Sequence, residues 1–117
     1  MPTTMLPEDP ILLELVPEFI ASWRHQIATL LPQLASTRNH EELYRFGHTL
    51  KGSARQFGFS DLADCGAELM DIARHQQWDH IGETIRHIEH ILASLEDAAH
   101  QRGLGTTGKS STMEQRQ

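Results

Sequence analysis

The sequence predicts an all-α protein, an antiparallel four-helix bundle with a short additional N-terminal helix. Strand signals are nearly absent, because the chain has a single Val, a single Tyr and no alternating apolar run. Apolar residues instead recur with the spacing of a helix face along four stretches. With only 8 Gly and 5 Pro among 117 residues, the composition is not that of a disordered or fibrous chain.

The first part of the chain is predicted to form two helices. The short N-terminal helix begins at Pro10, with Asp9 as its N-cap. Pro17 indicates a second start, since proline is tolerated best in the first turn of a helix. The apolar stripe of this second helix ends at Leu34, and Pro32 is expected to kink or loosen its last turn.

Three further helices complete the predicted bundle. The third follows Asn39, a favourable N-cap, and stops at Gly58. The fourth has Ser60 as its N-cap and carries Cys65 on its apolar stripe. The fifth begins near Trp78 and repeats apolar residues at spacings of three and four, which is typical of helix packing. Short loops between long amphipathic helices predict antiparallel neighbours.

The composition excludes several classes of protein. The length suits one domain, placed at residues 1–102, and the polar stretch 103–117 is predicted to be a disordered tail. No apolar run is long enough to span a membrane, no secretory signal is visible, and a net charge of −6 disfavours nucleic-acid binding. The single cysteine excludes an internal disulfide, so a cytoplasmic location is expected. Because Cys65 lies on an apolar stripe, an inert core role is expected for it.

His48 is predicted to lie on the solvent face of the third helix. At about 100° per residue, the large apolar side chains of this helix cluster on one side, and His48 points almost directly away from them. Those apolar residues are Leu43, Phe46, Leu50, Ala54 and Phe57. The neighbours of His48 on the polar face are Glu41, Tyr44, Arg45, Lys51, Gly52 and Arg55. Most exposed histidines are plain surface residues, so these neighbours decide whether His48 has a chemical role.

Glycines and cations near His48 weaken the interpretation as a plain surface residue. A glycine inside an exposed helix costs about 1 kcal/mol relative to Ala, and both Gly47 and Gly52 lie in this one. Gly52 clears side-chain bulk one turn from the imidazole, so another molecule can approach the ring. Lys51 and Arg55 disfavour the imidazolium and favour an anionic group on the ring, modestly because solvent screens them. The alternatives are a tolerated helix glycine and an ordinary charged face.

A resemblance to a known family rests on the segment His48-Thr49-Leu50-Lys51-Gly52-Ser53-Ala54 and the later Gly58. This segment resembles the signature of histidine-containing phosphotransfer (HPt) domains, His-x-Leu-Lys-Gly-Ser-Ala/Ser with a further Gly downstream. The similarity in helix order extends over about residues 8–100. Two positions depart from the family pattern: Gly47 stands where many members carry Ala, and Met70 lies near where many carry Glu or Gln.

The resemblance implies a phosphocarrier without kinase activity of its own. His48 would accept the phosphoryl group through Nε2, and Lys51 would stabilise that group. Members of the family pass a phosphoryl group from one receiver-domain aspartate to another, so the implied partners are response-regulator receiver domains and a hybrid histidine kinase. The chain is expected to be a monomer with no metal or cofactor of its own, because Mg²⁺ belongs to the receiver partner.

The resemblance also implies where a receiver would dock. The docking residues predicted on this basis are Gly52, Arg55, Tyr44, Arg45, Ile11 and Leu12. Gly52 resembles the small residue that lets the acidic pocket of a receiver close over the imidazole. Ile11 and Leu12 are included because the corresponding helix of the family borders the docking surface, although simple core packing of these residues is an equal alternative.

Three other interpretations compete with the phosphocarrier. The alternative function is a helical adaptor that binds partners without chemistry. Histidines of the last helix could present metal ligands, but they lie opposite its apolar seam, so a solvated polar face is favoured; the residues are His80, Glu83, His87 and His90. The segment 103–110 matches a P-loop letter for letter, but it lacks the preceding strand and following helix that phosphate binding requires, so a chance match is favoured.

Overall fold

The computed structural model describes residues 6–104 and confirms the all-α helical bundle. Four α-helices and one short 3₁₀ turn make up this part of the chain: α1 (Pro10–Thr37), α2 (His40–Phe57), α3 (Ser60–His75), the 3₁₀ turn (Trp78–His80) and α4 (Ile81–Gln101). No strand occurs among these described residues. The helices pack as a closed ring in which α2 contacts α3 most extensively and α1 contacts α4.

The prediction of a separate N-terminal helix is wrong, because α1 is one continuous helix of 28 residues. It begins as predicted, with the Asp9 side chain accepting a hydrogen bond of 2.9 Å from the Ile11 amide. The helix then continues through Pro17 and Pro32. A proline inside a helix costs about 3 kcal/mol, whereas each large apolar side chain that is buried contributes about 1.5–3 kcal/mol. Burial of the side chains around Pro17 therefore contributes more free energy than the proline costs. These side chains are Val16, Phe19 and Ile20.

Two tight connections position α2 and α3. Asn39 caps α2 as predicted, with its side chain accepting a hydrogen bond of 3.2 Å from the Glu42 amide. Gly58 ends α2 in the left-handed region, with φ of 80°, which a glycine adopts without strain. The residue at the N-cap of α3 is Phe59 rather than Ser60. Phe59 is buried and packs on Phe57 and Phe19, so aromatic packing rather than a polar cap determines where α3 begins.

The core runs along the inner faces of all four helices. Fully buried side chains come from each helix, among them Leu31, Leu50, Leu69, Ile88 and Leu92. The apolar face predicted for α2 is confirmed: Leu43, Phe46, Leu50 and Ala54 are buried, and Phe57 packs against the core. His48 therefore lies on the opposite, exposed face of α2, as the helix wheel predicted.

A close contact between two glycines joins α2 to α3. Both Gly47 and Gly66 are buried. A Cβ added at Gly66 would lie 2.7 Å from the Gly47 carbonyl oxygen and 2.7 Å from the Lys51 amide nitrogen. A Cβ added at Gly47 would lie 2.6 Å from the Gly66 carbonyl oxygen. The two backbones approach so closely because neither residue has a side chain, and this contact fixes the stretch of α2 that carries His48.

No helix of the described residues is long and apolar enough to cross a membrane. The predicted tail begins with Gly103 and Leu104, and Leu104 is half-buried against the core. The rest of that tail and most of the P-loop-like segment lie outside the described residues. Their predicted disorder and their chance resemblance to a P-loop stay predictions.

The substitution Gly66→Ala is expected to lower the free energy of unfolding by about 1–3 kcal/mol, because the new methyl group overpacks two backbones that cannot move aside alone. Urea unfolding followed by circular dichroism measures this loss. The matched control is Gly52→Ala, where nothing lies within 4 Å of the added Cβ. That variant should gain about 0.5–1 kcal/mol from helix propensity. Equal stability of the two variants would contradict the close contact.

Candidate functional site

α2 holds the His48 imidazole in solvent, although the nearby residues Gly47 and Leu50 are buried. Among the described residues, the His48 side chain takes part in no hydrogen bond and no ion pair. The exposed ring is therefore accessible to a molecule from outside. A rigid helix with an exposed ring nitrogen is the arrangement that a nucleophile needs when its reaction partner is another protein.

A shallow groove beside His48 lies between α2 and α3. Its volume is about 640 Å³, and its lining residues are His40, Glu41, Tyr44, Arg45 and His48 from α2 together with Ala73 and Arg74 from α3. The groove includes two of the predicted docking residues, Tyr44 and Arg45. The other predicted docking residues of α2, Gly52 and Arg55, lie outside its lining on the same helix.

Arg74 is a cation of this groove that sequence reasoning did not identify. One guanidinium nitrogen lies 3.5 Å from the Tyr44 hydroxyl oxygen, to which it donates, and the guanidinium carbon lies 5.6 Å from the centre of the Tyr44 ring. Another guanidinium nitrogen pairs with Asp71 at 3.2 Å. Arg74 thus brings positive charge from α3 to the face of His48. The position of Arg74 near the end of α3 could be predicted from the sequence. Its contact with Tyr44 could not, because that contact depends on how α2 and α3 pack together.

Lys51 and Arg55 supply the two cations on the C-terminal side of His48. Lys51 is half-buried and its backbone lies against Gly66, while Arg55 is exposed. Neither forms an ion pair with another described residue, whereas Arg45 pairs with Glu42. The charges of Lys51 and Arg55 are therefore available to an anionic group near the imidazole, with solvent screening limiting their effect.

Gly52 leaves the open space that the sequence predicted. Nothing lies within 4 Å of a Cβ added there, so no packing contact inside the described chain requires a glycine at this position. Gly47 differs, because its lack of a side chain serves the contact with α3. Of the two helix glycines near His48, only Gly52 is free for a role with an outside molecule.

The first helix contributes exposed apolar residues away from the groove. Ile11 is 70% exposed and Leu15 is 43% exposed, while Leu12 is half-buried. None of these residues lines the groove at His48. The docking role of Ile11 and Leu12 stays a prediction, and the exposure of Ile11 is what favours it over core packing.

Cys65 has the buried position expected of a core residue. It is 1% exposed, and burial, followed by the charges of Glu68, Asp64 and Asp61, raises the pKa of its thiol to about 12. The thiol is therefore protonated at neutral pH, and the nucleophilic thiolate is scarce. The Cys65 thiol is thus buried, whereas the His48 imidazole is open to solvent.

Comparison with known families agrees with this geometry. The family model described as "Hpt domain" matches residues 14–98, which includes α2 and all of its site residues. The searches of curated proteins and of solved structures found no significant match. The chain belongs to the Hpt domain family, and with it to the phosphotransfer modules of two-component signalling. The phosphocarrier class predicted from the His48 motif is thereby confirmed at the level of the family.

The raised pKa of Cys65 predicts that stability falls at alkaline pH. Above about pH 9 the unfolded chain loses the thiol proton, whereas the native chain keeps it until about pH 12, so the free energy of unfolding should decrease through that interval. Urea unfolding in the presence of a chelator measures it at about pH 8 and about pH 10. The advantage of the native chain over Cys65→Ala should be smaller at the higher pH. An advantage that grows with pH would contradict the raised pKa.

Proposed function

We propose that this chain carries a phosphoryl group between receiver aspartates, with His48 as the residue that holds it. The observation that supports this most directly is the imidazole of His48 on α2, which is exposed and has no hydrogen-bond or ion-pair partner among the described residues, in a chain of the Hpt domain family. A helical adaptor that carries out no reaction would not need an exposed imidazole beside a glycine that faces open space.

The transfer step forms one bond and breaks another. The neutral imidazole attacks with the Nε2 lone pair on the phosphorus of a phosphorylated aspartate, in line with the bond that breaks. The N–P bond forms, and the aspartate carboxylate leaves with the electron pair of the broken P–O bond. A second receiver aspartate reverses these events and restores the free ring. The main contribution of the chain is to hold the nitrogen still, which reduces the entropic part of the barrier.

Charge near His48 suits the anionic group in transit. We assign Lys51 to the stabilisation of the phosphoryl oxygens, because it lies one turn from His48 and forms no ion pair with a described residue. Arg55 adds positive charge a further turn along the same face. In this proposal Mg²⁺ is held by the acidic residues of the receiver, so the chain itself brings no metal to the transfer.

Docking of the receiver is assigned to the surface around the ring. Gly52 provides clearance for the receiver, since its α-carbon faces open space. The cations on α2 complement an acidic pocket and would speed association through long-range attraction. The exposed Ile11 offers an apolar contact on the first helix. The donor is proposed to be the receiver of a hybrid histidine kinase, and the carrier is proposed to act as a monomer.

The substitution His48→Gln is expected to abolish phosphorylation while the fold is unchanged, because the exposed ring makes no hydrogen bond or ion pair with a described residue that the glutamine would break. The chain is incubated with a kinase and receiver donor, and labelled phosphate is followed on the chain. The label should be acid-labile and base-stable, as expected of a phosphoramidate. His90→Gln, an exposed histidine of α4, is the control and should be labelled normally. Label persisting in His48→Gln would leave the adaptor as the better interpretation.

The substitution Gly52→Gln is expected to slow transfer by at least about tenfold, because its side chain occupies the clearance beside the imidazole. Its unfolding free energy should be equal or higher, since a helix glycine is replaced in open space. Single-turnover transfer rates and urea unfolding are measured on the same preparation. Gly52→Ala is the matched control and should lose much less activity. Parallel losses of rate and stability would argue against a docking role for Gly52.

A further inference from the structure

A cluster of side chains that can ligate a metal ion lies between α3 and α4. It consists of Cys65 and Glu68, one turn apart on α3, and His87 on α4. One ligand atom from each side chain lies within 4.8 Å of the other two. His48 is not part of this cluster, so the phosphocarrier role leaves these three residues unexplained.

The distances in the cluster suit a tetrahedral metal ion. The Cys65 sulfur lies 3.6 Å from Nδ1 of His87. Zinc bonds of about 2.3 Å to sulfur and 2.0–2.1 Å to nitrogen, at the tetrahedral angle, separate the two ligand atoms by about 3.6 Å. A sulfur, an imidazole nitrogen and a carboxylate oxygen are all ligands that Zn²⁺ takes readily, and a coordinated thiol is deprotonated by the ion itself. The pair is therefore already spaced for one ion.

Neighbouring residues position the carboxylate and leave an approach from solvent. The buried hydroxyl of Thr84 on α4 lies 3.3 Å from a carboxylate oxygen of Glu68 and 3.3 Å from the carbonyl oxygen of His80. When its proton is donated to Glu68, this hydrogen bond orients a metal ligand. A cleft of about 340 Å³ beside the cluster is lined by Glu68, Glu83, Thr84 and His87. Cys65 is 1% exposed and His87 is exposed, so the thiol forms the inner end of the site and the imidazole its outer edge.

We propose that Cys65, Glu68 and His87 bind one Zn²⁺ ion between α3 and α4, with the fourth position left to water. The sequence predicted no metal site and placed the histidines of the last helix on a solvated face. Only one of those histidines, His87, enters this site, because the partners that complete it come from α3. Bound zinc would join α3 to α4 and stabilise the native bundle, since it binds the folded chain in preference to the unfolded one.

Zinc binding is tested on the full chain without a histidine tag, first stripped with a chelator that is then removed. Calorimetric titration with Zn²⁺ alone should show that one ion binds per chain. Thermal unfolding should show a higher Tm with the ion present than without it. Co²⁺ used in place of zinc should give the near-ultraviolet absorption of a thiolate-to-cobalt bond. Absence of saturable binding at micromolar Zn²⁺, or binding of Co²⁺ without that absorption, overturns the proposal.

Matched variants separate this site from other histidines. His87→Gln should weaken zinc binding by at least about tenfold, since losing even an outer-shell partner costs that much, and Cys65→Ala should remove the thiolate absorption. His90→Gln should bind zinc as the native chain does. The opposite result, with His90→Gln deficient and His87→Gln normal, would assign the ion to the outer face of α4 and overturn the site. His48→Gln should also bind normally, so the outcome is independent of phosphotransfer.

Discussion

The contact between Gly47 and Gly66 is the constraint on which the site depends. Two helices whose backbones meet without side chains between them have little freedom to slide or rotate past each other. Gly47 immediately precedes His48, and the backbone of Lys51 also lies against Gly66. The imidazole and Lys51 are thus carried by a stretch of α2 whose backbone is packed directly against α3. In the proposed transfer, His48 must meet the aspartate of another protein in line, and such rigidity would help because the geometry is set before the encounter.

The inner face of α2 stabilises the fold, whereas the outer face carries the residues of the candidate site. The inner face has Leu43, Leu50 and Ala54 fully buried, so it supplies the packing energy that keeps the helix in place. On the outer face, His48, Gly52 and Arg55 are exposed, so they are accessible to an outside molecule. Arg74 extends that outer face onto α3 through its contact with Tyr44. The groove at His48 is therefore formed by two helices, although the nitrogen proposed to accept the phosphoryl group belongs to α2 alone.

Periodicity and local motifs predicted much of this structure, but they could not predict which residues of different helices contact each other. The orientation of His48, the caps at Asn39 and Gly58 and the openness of Gly52 all follow from residues close in sequence. The helix break at Pro17 was wrongly predicted because the burial of its neighbours in the core outweighed a local rule. The partnership of Gly47 with Gly66, and that of Cys65 with His87, join positions far apart in the chain. Such contacts become visible only when the register between helices is known.

His48 has no hydrogen bond or ion pair with another described residue, and this has a consequence for the direction of the proposed transfer. Because the imidazole gives up no internal hydrogen bond or ion pair with a described residue, loading it has no bundle contact at the ring to disrupt. Among the described residues, the proposed carrier then has no hydrogen bond or ion pair at the ring whose loss would distinguish the loaded form from the empty form. The net direction of phosphoryl transfer would then be decided by the relative stabilities of the aspartyl phosphates on the donor receiver and on the acceptor receiver. Such a carrier is a reversible relay point, and control of the signal belongs to its partners.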